Sequence, residues 1–103
     1  MDKEILFEVV TPLNVRVKTT KEYWDYIVNI KHQPMKNKED IVKDSLLNPE
    51  EIYRSKIDQN VYLYYRHFDK MYCIVAKHMR KEGFLITAYP TDKIKEGEKI
   101  WKK

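Results

Sequence analysis

The sequence predicts an α+β domain in which an N-terminal β-hairpin and two helices pack on a mainly antiparallel sheet. Three observations support this fold class. Apolar residues follow a strand pattern near the N-terminus, recur at helical spacing over about residues 21 to 46, and follow a strand pattern again over about residues 61 to 89. A chain of 103 residues has room for one domain, so we expect a single domain over residues 1–103.

The first predicted element is the β-hairpin. Residues Ile5 to Val10 and Val15 to Thr20 are rich in β-branched and aromatic residues, and Pro12-Leu13-Asn14 between them predicts a turn. The second arm alternates apolar and cationic residues, so one of its faces should be in contact with water.

Two helices are expected next. Thr19 followed by Glu22 is a capping-box pattern, and the apolar spacing after it predicts a helix from about Lys21 to Lys31. Pro34 should end that helix because proline lacks the backbone N–H, and Asn37 can cap a second helix. The second helix should bury one side, which carries Ile41, Val42, Ser45 and Leu46.

The remaining chain is expected to form an antiparallel meander. Asn48 to Glu51, with proline at the first helical position, predicts a short helical turn. Strands are then predicted over Val61 to Phe68, Met71 to Met79 and Phe84 to Tyr89, because short loops separate these alternating segments. The tail from Lys93 to Lys103 is interpreted as a charged extension.

Alternation divides the side chains of these strands between two faces. The face expected to pack under the helices carries Leu63, Tyr65, Ile74, Ala76, Ile86 and Ala88. The opposite face should carry Tyr64, Arg66, Lys77, Thr87 and Tyr89. Aromatic and cationic side chains together suit the bases and phosphates of RNA, so the function is expected on this opposite face.

Composition narrows the classes of function. The net charge is +4, and the single cysteine, Cys73, cannot form an internal disulfide, which predicts a cytoplasmic protein. No apolar run reaches the roughly 20 residues of a membrane span, and the N-terminus lacks the pattern of a signal peptide, so no membrane partner is expected. With two glycines and no paired metal-ligand spacing, neither a cofactor nor a metal is expected.

Metal-independent RNA cleavage requires a base, an acid and cations around the phosphate. His32 is the candidate proton carrier, since histidine titrates near neutral pH. Arg54 and Arg66 are candidate phosphate binders because their guanidinium groups match phosphate oxygens. Thr87 and Tyr89 lie two residues apart on one face and can donate hydrogen bonds to phosphate. The candidate substrate-binding residues are Ser55, Tyr64 and Lys77.

Each candidate has a structural alternative. His32 can instead pack against Trp24 and Val28 on one helix stripe, and each cation can belong to an ordinary solvated face. Tyr89 can simply pack at the end of the sheet. The other candidates for proton transfer or nucleophilic attack, ranked below His32, are His67, His78 and Cys73.

Several segments resemble one nuclease superfamily. They are Trp24, Lys31-His32-Gln33-Pro34, the segment from Asn48 to Ser55, Tyr64-Tyr65-Arg66 and the segment from Phe84 to Pro90. Together they look like the phage and toxin nucleases of the barnase, EndoU, colicin and RelE-like (BECR) superfamily, and the likeness spans nearly the whole chain.

The resemblance implies a RelE/BECR-like fold, with helices followed by a four-stranded antiparallel sheet. It implies RNA cleavage with His32 as a catalytic residue, Arg54 and Arg66 as phosphate binders, and Thr87 with Tyr89 as the polar pair of the last strand. Members are often toxins held by a cognate antitoxin, so RNA and an antitoxin are the expected partners, and a homo-oligomer is an open alternative.

The leading hypothesis is therefore a metal-independent endoribonuclease of a toxin-antitoxin pair. The alternatives are a non-catalytic module that binds nucleic acid or protein, and a structural role in a phage or mobile element.

Overall fold

The described part of the chain, residues 4–94 and 97–103, forms seven strands and two α-helices in a computed structural model. In chain order the elements are β1 (Ile5–Val10), β2 (Arg16–Thr20), α1 (Lys21–Tyr26), a π-helical turn (Ile27–Lys31), a 3₁₀ turn (Gln33–Met35), α2 (Glu39–Leu47), β3 (Glu51–Arg54), β4 (Val61–His67), β5 (Met71–Met79), β6 (Glu82–Thr91) and β7 (Glu98–Lys102).

These strands form one mixed sheet in the order β1-β2-β6-β5-β4-β3-β7. The pairs are antiparallel except β2 with β6, which are parallel. Strands β4, β5 and β6 form the predicted meander, and their ends lie within two residues of the predicted ones.

The predicted RelE/BECR-like arrangement of two helices on a four-stranded antiparallel sheet is wrong. The N-terminal hairpin joins the sheet, because Arg16 to Lys18 of β2 pair with Glu82 to Phe84 of β6. Residues Asn48 to Glu50 form no helical turn, contrary to the prediction, and strand β3 begins directly after them at Glu51; β7 lies in the predicted extension. Strand β3 pairs with β4 on one side and with β7 on the other. Hydrogen bonds to both neighbouring strands satisfy its backbone groups, and this pairing between distant segments determines its structure more than its local sequence does.

The first helix begins at Lys21, as predicted, but its N-cap and its second half differ from the prediction. Its N-cap is Thr20, whose hydroxyl accepts a hydrogen bond of 3.1 Å from the Tyr23 N–H, so the cap lies one residue beyond Thr19. The α-helix ends at Tyr26, and the π-helical turn continues it to Lys31. Thr19 is thereby released from capping and is buried.

The second helix also begins later than predicted. Lys38 occupies the N-cap position, while Asn37 has a left-handed backbone conformation with a φ of 65°. The acidic residues Glu39 and Asp40 lie in the first turn, where the helix dipole favours negative charge. Among residues 4–94 and 97–103, no helix is long and apolar enough to cross a membrane.

The strand register fixes which side chains share a face of the sheet. Tyr64 pairs with Ile74, and Ile74 pairs with Ala88, so these residues lie together on the face that the helices cover. This helix-covered face holds the larger core cluster. The helical segments contribute Trp24, Ile27, Val28, Met35, Val42 and Leu46 to it.

The other face, here called the second face, carries a smaller buried cluster of Leu63, Tyr65, Cys73 and Val75. The predicted face assignment of β4 is therefore wrong, since Leu63 and Tyr65 were expected under the helices with Ile74. Because side chains alternate with a period of two, a shift of one residue moves every side chain of a strand to the other face.

Candidate functional site

The second face contains a cavity of about 360 Å³ beneath the loop that joins β3 to β4. We call it the Thr87 cavity. Its lining brings together residues from β3 to β6 that are far apart in the sequence: Ser55, Lys56, Val61, Val75, Thr87 and Tyr89.

Ser55 shapes the loop over the Thr87 cavity. Its Oγ accepts hydrogen bonds from the N–H groups of Ile57 and Asp58, at 3.1 and 3.3 Å, as in a serine-initiated turn. The Asp58 carboxylate then accepts from the Asn60 N–H at 2.9 Å. The hydroxyl hydrogen of Ser55 takes no part in the two turn bonds, so it can be donated to a ligand.

Thr87 lies on β6 directly after a β-bulge. Leu85 pairs with Ala76 and Thr87 pairs with Val75, so Ile86 is the extra residue. The Thr87 Oγ1 is buried and has no hydrogen-bond partner among the described residues. A buried unpaired hydroxyl costs about 1–3 kcal/mol, and such groups are rare in folded proteins. A ligand in the cavity would supply the missing partner.

Tyr89 lines the same cavity two residues further along β6. Burial raises the pKa of Tyr89, and the neighbouring Cys73 thiol raises it further, so the phenol stays protonated at neutral pH. The His32 ring centroid lies 5.2 Å from that of Tyr89, with 38° between the ring planes. The predicted proton carrier therefore lies beside the predicted polar pair of the last strand.

The π-helical turn places His32 at this position. The His32 N–H donates a hydrogen bond of 2.8 Å to the carbonyl of Ile27, five residues earlier, and closes the widened turn. Single π-helical turns inside helices are frequent at functional sites. An uninterrupted α-helix would rotate His32 to a different direction, because each residue of an α-helix turns by about 100°.

Lys77 lies at the side of the Thr87 cavity. It pairs across the sheet with Val61, which lines the cavity, and its ammonium is 3.9 Å from the Asp58 carboxylate. Lys56 lines the cavity directly and is exposed. Sequence reasoning missed Lys56, although the Ser-Lys-Ile-Asp segment has a turn pattern that could have indicated a loop there.

The two predicted phosphate-binding arginines lie elsewhere. Arg54 forms an ion pair with Glu98 of β7. Arg66 donates a 2.7 Å hydrogen bond to the carbonyl of Asn48 and lies 3.4 Å from the Asp44 carboxylate, with 25% of its side chain exposed. Both arginines follow the alternation of the helix-covered face, so the structure separates them from the Thr87 cavity.

Tyr64 is also separated from the cavity, because it is fully buried on the helix-covered face. Its hydroxyl lies 3.1 Å from the Thr11 Oγ1 and 2.9 Å from the His78 Nε2. Burial raises the pKa of Tyr64 and lowers that of His78 to about 4. These groups form a buried polar network with no access for a substrate.

The remaining candidates lie outside the Thr87 cavity. His67 pairs with Glu50 through a 3.3 Å contact between Nδ1 and Oε1, at a separate groove. Cys73 is completely buried in the cluster of the second face. In the described ranges, no group of three or more His, Cys, Asp or Glu side chains is arranged to hold a metal ion.

Comparisons of the chain with protein-family models, with curated proteins and with solved structures found no match. A function has to be inferred from the residues of this chain. Of the eight predicted site residues, Ser55, Thr87 and Tyr89 line one cavity, and His32 and Lys77 lie beside it.

Proposed function

We propose that the chain is a metal-independent endoribonuclease and that its reaction takes place in the Thr87 cavity. One observation carries the proposal: the buried, unpartnered hydroxyl of Thr87 shares a cavity with Ser55, Lys56 and Tyr89, and the His32 ring lies against that of Tyr89. Hydroxyl and ammonium donors match the oxygens of a phosphodiester, and an imidazole can carry a proton at neutral pH.

In the proposed reaction, His32 removes the proton from a ribose 2′-hydroxyl, and the 2′-oxygen attacks the adjacent phosphorus. The bond between phosphorus and the 5′-oxygen breaks, leaving a 2′,3′-cyclic phosphate and a 5′-hydroxyl end. Lys56 gives a proton to the departing 5′-oxygen, and exchange with water restores both groups. Thr87 and Ser55 donate hydrogen bonds to the phosphate oxygens as negative charge accumulates there.

Tyr89 and Lys77 have supporting roles in this proposal. The Tyr89 ring lines the cavity and packs against the His32 ring, so Tyr89 is a positioning residue. Lys77 lies beside the cavity, where the Asp58 carboxylate, 3.9 Å from its ammonium, offsets part of its charge. Arg54 and Arg66 have no part, because their ion pairs and hydrogen bonds hold them on the opposite face.

The resemblance of several sequence segments to BECR nucleases supports the same activity, and a cognate antitoxin remains part of the proposal. Such a partner would inhibit by covering the Thr87 cavity. An acidic segment is the complementary chemistry, since the chain carries a net charge of +4 and Lys56 is exposed at the cavity.

A second candidate is a module that binds nucleic acid without chemistry. Arginines commonly help to hold the reacting phosphate in a nuclease. Arg54 and Arg66 lie away from the Thr87 cavity, and this placement favours the binding module. The two functions differ in one respect: the binding module should retain its affinity for RNA when His32 is replaced.

The test is incubation of purified protein with end-labelled single-stranded RNA in EDTA at pH 7. We expect the parent to cut the RNA, Thr87→Val to cut roughly 100-fold more slowly, as for loss of one donor to a developing oxyanion, and His32→Gln to be inactive. Two matched controls should cut like the parent. Ser45→Ala removes another buried, unpartnered hydroxyl, and His67→Gln removes a histidine outside the cavity.

Three results would contradict parts of the proposal. If the parent binds RNA and leaves it intact, the chain is a binding module. If Thr87→Val cuts as fast as the parent, the reaction takes place outside the Thr87 cavity. If His67→Gln loses activity and His32→Gln keeps it, the proton carrier is His67.

A further inference from the structure

A second cavity, of about 320 Å³, lies where β2, α1 and β6 meet. We call it the Tyr23 cavity. It is lined by aromatic, hydroxyl and cationic side chains, among them Lys18, Thr19, Tyr23 and Phe84. The ribonuclease mechanism uses none of them.

Thr19 is the first indication of a ligand. The residue is 4% exposed, it lines the cavity, and its Oγ1 has no hydrogen-bond partner in the part of the chain that the structure describes. Thr20, the next residue, already caps α1, so the Thr19 hydroxyl is not needed for capping. Valine would fill the same space without leaving a polar group unpaired, and a polar ligand atom would supply the missing partner.

The aromatic walls are the second indication. Tyr23 donates a 2.7 Å hydrogen bond from its hydroxyl to the Ile86 carbonyl, which fixes its ring against β6. Phe84 is 42% exposed although it is a large apolar side chain. Two aromatic rings, one of them tied in place, provide a stacking surface for a planar ligand.

Lysines flank Phe84 on both neighbouring strands. Phe84 pairs with Lys18 of β2 and with Lys77 of β5, so both lysines are its cross-strand neighbours. Lys77 also lies next to the Thr87 cavity. Phe84 and Thr87 are three residues apart on β6, hence at most about 11 Å apart, which is within reach of neighbouring nucleotides of one strand.

We propose that the Tyr23 cavity is a nucleobase subsite. The base stacks on Phe84 and Tyr23, the Thr19 hydroxyl hydrogen-bonds to an edge of the base, and Lys18 contacts the attached phosphate. In the proposed ribonuclease, this subsite would select the nucleotide next to the cleaved bond, and that role rests on the proposed function. The binding of a base does not rest on it. A single-stranded RNA and a free nucleotide share this chemistry, so the experiment includes both.

The experiment measures equilibrium binding in EDTA by fluorescence anisotropy, with labelled rA6 and rU6 hexanucleotides as direct probes and AMP and UMP as competitors. We expect Phe84→Ala to weaken hexanucleotide binding about tenfold, as for loss of one stacked base, and Thr19→Val to weaken it several-fold. Lys18→Gln, a surface change, should reduce the affinity and flatten its dependence on salt.

Two control variants match these changes. Phe68→Ala removes another partly exposed phenylalanine, and Ser45→Ala removes another buried, unpartnered hydroxyl; neither lines the Tyr23 cavity. Both should bind within twofold of the parent. Thermal unfolding of every variant separates loss of binding from loss of the fold.

Monophosphates that compete only at far higher concentration than hexanucleotides support a subsite for an RNA strand. Monophosphates that compete as well as hexanucleotides support a subsite for free nucleotides. The proposal is overturned if folded Phe84→Ala, Thr19→Val and Lys18→Gln all bind like the parent, or if the parent binds neither kind of probe.

The two proposals can fail separately. If the parent cuts no RNA and Phe84→Ala still weakens binding, the ribonuclease proposal fails and the subsite stands. If the parent cuts RNA and the three cavity variants match it in affinity and in cleavage, the subsite fails and the ribonuclease proposal stands.

Discussion

Acidification should destabilise the fold through His78. This residue is 7% exposed, its ring stacks on Tyr62 with centroids 3.9 Å apart, and its Nε2 lies 2.9 Å from the Tyr64 hydroxyl. Burial disfavours the charged imidazolium and lowers the pKa of His78 to about 4, from 6.5 for a free histidine. The perturbation is a change of pH from 7 to 4.5.

The sign follows from which state takes up the proton first. As the pH falls below 6.5 the unfolded chain binds a proton at this histidine, whereas the folded chain does so only near pH 4. The stability contribution is therefore complete above pH 6.5, is lost between pH 6.5 and 4, and changes no further below that. The difference in pKa corresponds to about 3 kcal/mol in full, and to roughly 2 kcal/mol at pH 4.5.

The assay is urea unfolding followed by circular dichroism at pH 7 and pH 4.5, at constant ionic strength. The parent should lose roughly 2 kcal/mol more than His78→Gln between these pH values, because the other titrating groups are the same in both proteins. Equal losses in the parent and His78→Gln would refute the reasoning, as would an NMR titration of His78 with a midpoint near 6.5.

Three further predictions concern the stability of the fold. Gly83→Ala should lower the unfolding free energy by roughly 1–3 kcal/mol, because the new Cβ would lie 2.7 Å from the Lys77 carbonyl oxygen; urea unfolding measures this, and an unchanged midpoint would contradict it. Arg66→Gln should lower the unfolding free energy by about 1–2 kcal/mol, since it removes the hydrogen bond to the Asn48 carbonyl, while RNA cleavage in EDTA stays at the parental rate. Ile74→Ala, in the helix-covered core, should cost roughly 2–5 kcal/mol by thermal unfolding, and a loss below 1 kcal/mol would argue against the described packing.

The meander was predictable because its strands are long and its loops short. Strands β4, β5 and β6 are rich in apolar and aromatic residues, and Asp69-Lys70 favours a hairpin between the first two. Strand β3, by contrast, has four residues, Glu51 to Arg54, and becomes a strand only because β4 and β7 pair with it. Such pairing between distant segments has no signal in a local window of sequence.

The face assignment of β4 failed for a different reason. In Tyr62-Leu63-Tyr64-Tyr65 every residue is aromatic or aliphatic, so alternation does not indicate which of them face the helices. Both faces of this strand are in fact buried. The register of β4 with β5, in which Tyr64 pairs with Ile74, determines which side chains of β4 lie on each face. The correct assignment places Arg66 on the helix-covered face and Leu63 on the same face as Thr87.

Local spacing in the sequence accounts for only some of the site residues. Thr87 and Tyr89 share a face at any register, because they are two residues apart on one strand, and they do line one cavity. His32 depended on a π-helical turn, and Ser55 with Lys56 depended on a loop that folds over the second face. These two features place His32 against Tyr89 and place Lys56 in the lining of the same cavity. The Thr87→Val variant therefore tests the geometry of the site more directly than replacement of any residue chosen from the sequence motifs alone.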